Sequence, residues 1–239
     1  MNQIESQMGQ LRLHGMVKSW TALKEARKLQ GLTLQDGMEL LLQSEEDERN
    51  QRRFKRLEHQ AGFRYKASLE EITVSQERGI DKNMLSSLST SRYLDQGESV
   101  LITGATGCGK SFLASAMGHQ ACALGKKVLY FNVQKLMLRL KMTRVDGSIY
   151  KLFDGISKTD LLIIDDFGLT HLDKQQQIDF MEIIEDRHAK KSTIIASQLP
   201  VVNWYDVIGE ETIADAILDR LVNTSHIIQI KGDSLRKKL

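Results

Sequence analysis

The sequence predicts an α/β fold: a parallel five-stranded sheet flanked by helices, preceded by a small all-helical N-terminal domain. Three observations predict it. Five short apolar runs lie in the later part of the chain, from Ser99 onward. Segments of helical periodicity separate those runs, the alternation of a parallel sheet covered on both faces. The first third of the chain has no such runs, and its apolar residues recur at helical spacing instead.

Leu13, Met16, Val17, Trp20 and Leu23 form the first helical stripe, with Gly31 as its stop. Thr33 is placed to cap a second helix carrying Met38, Leu41 and Leu42. The charged stretch from Ser44 to Ala61 reads as a further helix anchored by Phe54 and Leu57. This module is thin in apolar residues and is bounded at 1–66, with the second domain at 67–239. The strands are expected at Ser99-Val100-Leu101-Ile102-Thr103, Val128 to Phe131, Leu161 to Ile164, Thr193 to Ala196 and Ile227 to Ile230, all as buried runs. Ser111 to Leu124 and Gln175 to His188 are expected helices between them, and Pro200 marks a loop after the fourth run.

Hydrophobic residues at 41% and charged residues at 27% match an ordinary globular protein rather than a disordered chain. No apolar run approaches the roughly 18–20 residues of a membrane span, and the polar N-terminus lacks a secretory core, so a cytoplasmic protein is expected. Cys108 and Cys122 are too few for a disulfide framework, and helical rise puts them on the order of 20 Å apart. From Arg49 to Lys66 cations exceed acids by six, and Arg236, Lys237 and Lys238 lie at the far end. Such clusters suit a polyanion such as DNA, or a solvated helix face equally well.

The most specific signal is Gly104-Ala105-Thr106-Gly107-Cys108-Gly109-Lys110-Ser111, a glycine, four free positions, then Gly-Lys-Ser. It follows an apolar strand and opens an apolar helix, the context a P-loop requires. The glycines let the backbone curl so that its N–H groups converge on phosphates, and the helix N-terminus adds its positive dipole end. ATP and Mg²⁺ are therefore the expected ligands, with Lys110 on the β- and γ-phosphates and Ser111 on the metal. The third run ends in Asp165-Asp166. Asp165 stands where a Walker B aspartate holds Mg²⁺ or its water, and Asp166 where a carboxylate polarises the attacking water. Asp166 is shorter than the glutamate many ATPases carry there, which predicts slow hydrolysis.

With Ser197-Gln198 ending the fourth run and Asp219-Arg220 downstream, these motifs resemble an AAA+ ATPase. Leu13 to Met16, Glu45 to Arg56, and the P-loop with Phe112-Leu113-Ala114 look like the IstB family. Leu161 to Gly168, Ser197 to Pro200 with Trp204, Ala216 to Leu221 and Gly232 to Arg236 continue the match. These are the ATP-binding helpers of IS21-type insertion sequences, related to the helicase loader DnaC. The resemblance implies an ATP-dependent assembly that self-associates on double-stranded DNA and recruits its element's transposase; a DnaC-like loader is the alternative. It implies that Ser197 or Gln198 senses the γ-phosphate, that Phe112 belongs to the nucleotide site, and that Arg220 is an arginine finger for a neighbouring subunit. Arg236 is implied as a second sensor. No helical lid is expected after Arg236, so the adjacent subunit would close the nucleotide site and couple ATP binding to assembly.

Met137, Leu138 and Leu140 read as one helix face, accompanied by Lys135, Arg139, Lys141 and Arg144 as a second basic group for DNA. Trp20 and Trp204 read as packing residues. A small-molecule kinase fits less well, since the paired aspartates suit water activation; a nucleotide-dependent scaffold without turnover stays open.

Overall fold

The computed structural model describes residues 3–235. Its contacts form two compact units, divided between Arg56 and Leu57. Residues 57–66, which the sequence reading assigned to the N-terminal domain, fall in the larger unit.

The smaller unit carries α1 (Gln3–Gln10), α2 (His14–Glu25) and the start of α3 (Leu34–Ala61). Thr33 caps α3, its Oγ1 accepting from the Asp36 N–H at 3.2 Å. The two helices expected after Thr33 are one helix of 28 residues, because Gln43 and Ser44 supply neither a proline nor a glycine to break it. Ser44 instead ties α3 to α2, donating to the Gly15 carbonyl at 2.9 Å. A Cβ on Gly15 would lie 2.2 Å from the Ser44 carbonyl oxygen, so only glycine allows this crossing.

Glu45, 5% exposed, accepts from the Gly15 N–H at 2.7 Å and the Met16 N–H at 3.3 Å, and from Arg49 Nε at 2.7 Å. It thereby satisfies the unpaired N–H groups at the start of α2 from another helix. Burial opposes its charge, but Arg49 and the two backbone donors outweigh burial and hold its pKa below 4.5. A depressed carboxylate pKa stabilises fully above the unfolded value and less as pH falls through the folded one. Glu45→Ala is expected to cost about 2 kcal/mol at neutral pH, and the difference from wild type should shrink below pH 4.5. Amide exchange across α2 at the two pH values measures both; equal protection in the two proteins at neutral pH would contradict it.

The larger unit follows α3 with α4 (Lys82–Ser89), α5 (Arg92–Gln96), β1 (Ser99–Gly104), α6 (Lys110–Ala123), β2 (Val128–Asn132), α7 (Val133–Val145) and α8 (Ile149–Ser157). Then come β3 (Leu161–Phe167), α9 (Lys174–Arg187), β4 (Ser192–Ser197), α10 (Trp204–Ile208), α11 (Glu211–Val222) and β5 (Ser225–Ile230). The five strands form one parallel sheet in the order β2-β3-β4-β1-β5. Val100 to Ile102, Leu161 to Ile164 and Ile194-Ile195 are fully buried, which is why these strands read as unbroken apolar runs. Leu101, Leu162, Ile164 and Ile195 pack with α7 to α11, while Ile163 on the other face lies under Gly118 of α6. Trp204 is a packing residue, edge-on to Phe167 at 4.9 Å, with its indole N–H on the Leu199 carbonyl.

Two readings need correction. β5 lies at the sheet's edge and alternates, so Ile227 is exposed while Ile228 and Ile230 are buried. On α7 the buried face is Leu136, Met137 and Leu140, whereas Leu138 faces outward, one position off the 3.6-residue repeat. Among the described residues no helix is long and apolar enough to cross a membrane.

Candidate nucleotide-binding site

Because all strands are parallel, the carboxyl ends of β1, β3 and β4 open on one edge of the sheet, the usual place for a ligand crevice. Gly104, Gly107 and Gly109 each have positive φ between β1 and α6. At Gly104 a Cβ would meet the Ile230 carbonyl oxygen at 2.2 Å, so the loop passes β5 only as glycine. Lys110 Nζ donates to the Gly104 and Ala105 carbonyls, each at 2.8 Å. The Leu235 N–H holds the Gly107 carbonyl at 3.0 Å, and Arg78 Nη2 holds that of Cys108 at 2.6 Å. The loop is pinned by its carbonyls and begins a 14-residue helix whose N-terminus favours an anion.

Asp165, 1% exposed, gathers donors from four directions. Its Oδ1 accepts from Ser111 Oγ at 2.9 Å and from the Asp166 N–H at 2.9 Å. Its Oδ2 accepts from the Tyr130 hydroxyl and from Arg64 Nη1 at 3.2 Å. Burial, and then Asp165 itself, push the Tyr130 phenol well above its ordinary pKa, so it stays a donor. Asp166 Oδ2 accepts from Arg64 Nη1 at 2.9 Å and Asn132 Nδ2 at 2.9 Å. The same Asn132 caps α7 with its Oδ1, which fixes the amide's orientation. Asp166 has φ +59°, and β3 slips by a bulge against β4 between Ile164 and Phe167. The bulge is what turns two successive carboxylates toward the same crevice instead of opposite faces of the sheet.

Thr106, Gly107, Gly109, Lys110, Ser111, Phe112, Asp166 and Gln198 line one cleft of about 380 Å³ together with Arg64, Tyr65 and Leu235. Gln198 reaches the glycine loop, accepting from Thr106 Oγ1 at 2.7 Å. Ser197 is wholly buried, donates to the Phe167 carbonyl at 2.7 Å and accepts from the Leu199 N–H, so of the two it is Gln198 that faces the cleft. Cys108 is buried beneath the loop, and Gly104 and Ala105 contribute their backbone. Arg220 is elsewhere: it pairs with Glu185, donates to the Ala216 carbonyl, and lies beside Ser99 and Thr193 at the amino-terminal edge of the sheet. Arg236 lies outside the described residues.

The sequence reading missed Arg64, Tyr130 and Asn132. Asn132 had a signal as the polar residue directly after the second apolar run; the structure then pairs it in register with Asp165. Arg64 had none beyond its charge. Burial works against that charge, yet Tyr65, Asp165 and Asp166 raise the guanidinium's pKa and keep it protonated. The donor set of the cleft, a hydroxyl and carboxylate oxygens beside a lysine and a pinned glycine loop, fits ATP with a hard divalent cation such as Mg²⁺.

A sheet of this order, a glycine loop after β1 and a carboxylate pair ending β3 define an ATP-binding protein of the AAA+ class. The chain belongs to the family described as IstB-like ATP-binding protein, whose model matches residues 6–239. The insertion-sequence protein y4pL of Sinorhizobium fredii (strain NBRC 101917 / NGR234), named as ATP-binding, is 39% identical over 94% of this chain and 92% of its own. The IS21 insertion-sequence protein of Pseudomonas aeruginosa, also named as ATP-binding, is 26% identical over the whole of this chain and 90% of its own. In fold, the chain is similar to the DnaC helicase loader, with a TM-score of 0.57 at 21% identity over 69% of this chain and 97% of that one. The replication initiator DnaA, solved with AMPPCP and single-stranded DNA, gives a TM-score of 0.60 at 20% identity over 72% of this chain and 52% of that one.

Proposed function

We propose that this protein is an ATP-controlled regulator of DNA transposition: it self-associates on double-stranded DNA in the ATP state, recruits and stimulates its element's transposase, and leaves the DNA when ATP is hydrolysed to ADP and phosphate. The observation that carries the reading is membership, over nearly the full chain, in a family of insertion-sequence ATP-binding proteins. The likeness to DnaC, at 21% identity, is one of fold and does not move the reading to helicase loading.

In this reading Lys110 exchanges the Gly104 and Ala105 carbonyls for the β- and γ-phosphates, a stronger, charge-assisted partner. Ser111 and Asp165 hold Mg²⁺, which neutralises charge on the phosphate oxygens. Asp166 orients and polarises the attacking water, Gln198 contacts the terminal phosphate, and Phe112 packs at the nucleotide. Arg220, on the far edge of its own sheet, serves a neighbouring subunit's site, where a guanidinium against transferring phosphoryl charge accelerates turnover by ~10³-fold or more. Arg236 is the second sensor. The N-terminal helices up to Arg56 are the partner-binding region and the rest of the chain is the ATPase, and the whole works in the cytoplasm.

For DNA, the exposed cations of α7 are Lys135, Arg139, Lys141 and Arg144, of which the first three have no ion pair to an acid in the described residues. Arg144 is committed to Asp179, and Arg49 and Arg52 to Glu45 and Glu48. Electron microscopy with duplex DNA, comparing no nucleotide, ADP and a slowly hydrolysed ATP analogue, tests the proposal. Oligomers on DNA are expected only with the analogue, and affinity is expected to fall at least ~10-fold between 50 and 200 mM salt. A monomer indifferent to DNA in every state would sink it.

A further inference from the structure

Arg64 stands where no assigned role reaches it. One of its nitrogens, Nη1, donates to both carboxylates of the pair, at 2.9 Å to Asp166 and 3.2 Å to Asp165. Its guanidinium lies over the Tyr65 ring at 5.6 Å, and both side chains line the cleft with Lys110 and Ser111. Asp165 thus bridges two positions suited to a cation: Ser111 Oγ meets Oδ1 and the guanidinium meets Oδ2. The side chain is still 40% exposed, and among the described residues it is held by these two carboxylates and the Tyr65 ring, so it is free to exchange a carboxylate for another anion.

A divalent cation beside Ser111 would share the Asp165 carboxylate with the guanidinium, and like charges a few ångströms apart in a half-buried site repel. A terminal phosphate entering the same cleft offers Arg64 a doubly charged, multi-oxygen partner in exchange. We propose that Arg64 is a nucleotide-reading residue that balances the Asp165–Asp166 charge before loading and transfers to the terminal phosphate when ATP·Mg²⁺ binds. It then distinguishes ATP from ADP, because ADP brings the metal without the phosphate that takes the guanidinium. This rests on the cleft being the ATP site.

The test uses the full chain and measures the affinity of fluorescent ATP and ADP analogues across a Mg²⁺ titration, with Arg64→Ala and Arg64→Lys beside wild type. Two shifts are expected in Arg64→Ala. Its preference for ATP over ADP should fall about tenfold, the worth of one charge-assisted contact. Half-saturation of ADP binding should need several-fold less Mg²⁺, because the competing cation is gone. Arg64→Lys keeps a charge without the planar fork and should fall between the two. A merely structural residue would lower both affinities together and leave the ratio and the Mg²⁺ midpoint in place, and that result overturns the proposal. Should the alanine variant fail to fold, the same unchanged pair of values in the lysine variant overturns it. A wild-type protein that binds neither nucleotide, with Lys110→Ala no different, removes the ATP site itself and the proposal with it.

Discussion

Asp166→Asn is expected to lower ATP turnover by at least ~10²-fold while leaving nucleotide binding intact. The substitution is unusually clean at this position. Asp166 sits at φ +59°, where asparagine is tolerated as well as aspartate, so the bulge in β3 survives and only the charge is lost. The amide can still meet Asn132 or Arg64, but it cannot draw a proton from water. The same backbone explains why the shorter acid stands here. A glutamate at φ +59° has no local side-chain compensation, and Asp166→Glu is expected to cost about 1–2 kcal/mol of stability instead of simply extending the base. Single-turnover hydrolysis, equilibrium binding of a fluorescent ATP analogue and a thermal melt separate these effects. Turnover of Asp166→Asn within a fewfold of wild type would take Asp166 out of the chemistry.

The parts of this site legible in the sequence are those whose chemistry is local. A glycine loop between an apolar strand and an apolar helix carries its own geometry in eight consecutive residues, and β3 announces its end with two aspartates. The supporting donors are a different matter. Arg64 meets Asp165 across 101 residues and Tyr130 meets it across 35, and such meetings depend on strand order, which apolar runs do not encode. The choice between Ser197 and Gln198 was closed to the sequence for a related reason. It turns on which of two successive side chains faces the crevice: the pleat of β4 puts Ser197 on the same face as the core residue Ile195, and Gln198 follows the strand's end.

The same division runs through the fold. β1, β3 and β4 were readable as strands because burial on both faces removes polar residues from them. β5 read as a buried run although only one face is covered, since Ile227 sits on the open side without changing the composition of the run. The continuity of α3 was hidden because its middle, Gln43 to Glu46, is polar without containing a helix breaker. A polar stretch reads as a break between two helices until a partner such as Gly15 is seen to use it.

Arg187 was invisible as a structural residue, and its replacement carries the largest expected loss of stability. It is 1% exposed at the end of α9, and burial lowers its pKa to about 10, which still leaves it charged at neutral pH. Its guanidinium donates to the carbonyls of Ile156 at 2.6 Å, Thr159 at 2.8 Å and Ser192 at 2.5 Å, and to Thr193 Oγ1 at 3.1 Å. One side chain thus joins the end of α8, the approach to β3 and the start of β4. Arg187→Met keeps most of the apolar stem but takes a donor from three buried carbonyls, of which that of Ile156 keeps the Thr159 N–H; each acceptor left unpaired costs roughly 1–3 kcal/mol. Some will relax toward water, so the expected cost is about 4 kcal/mol, or roughly 10 °C in melting temperature for a chain of this size. Arg187→Lys retains the charge with fewer, non-planar donors and should lose about half as much. Thermal and urea melts measure both variants, and the order methionine, lysine, wild type in rising stability is the signature of lost hydrogen bonds. Lost charge alone would leave lysine equal to wild type, and a methionine variant as stable as wild type would mean that the three carbonyls find other donors.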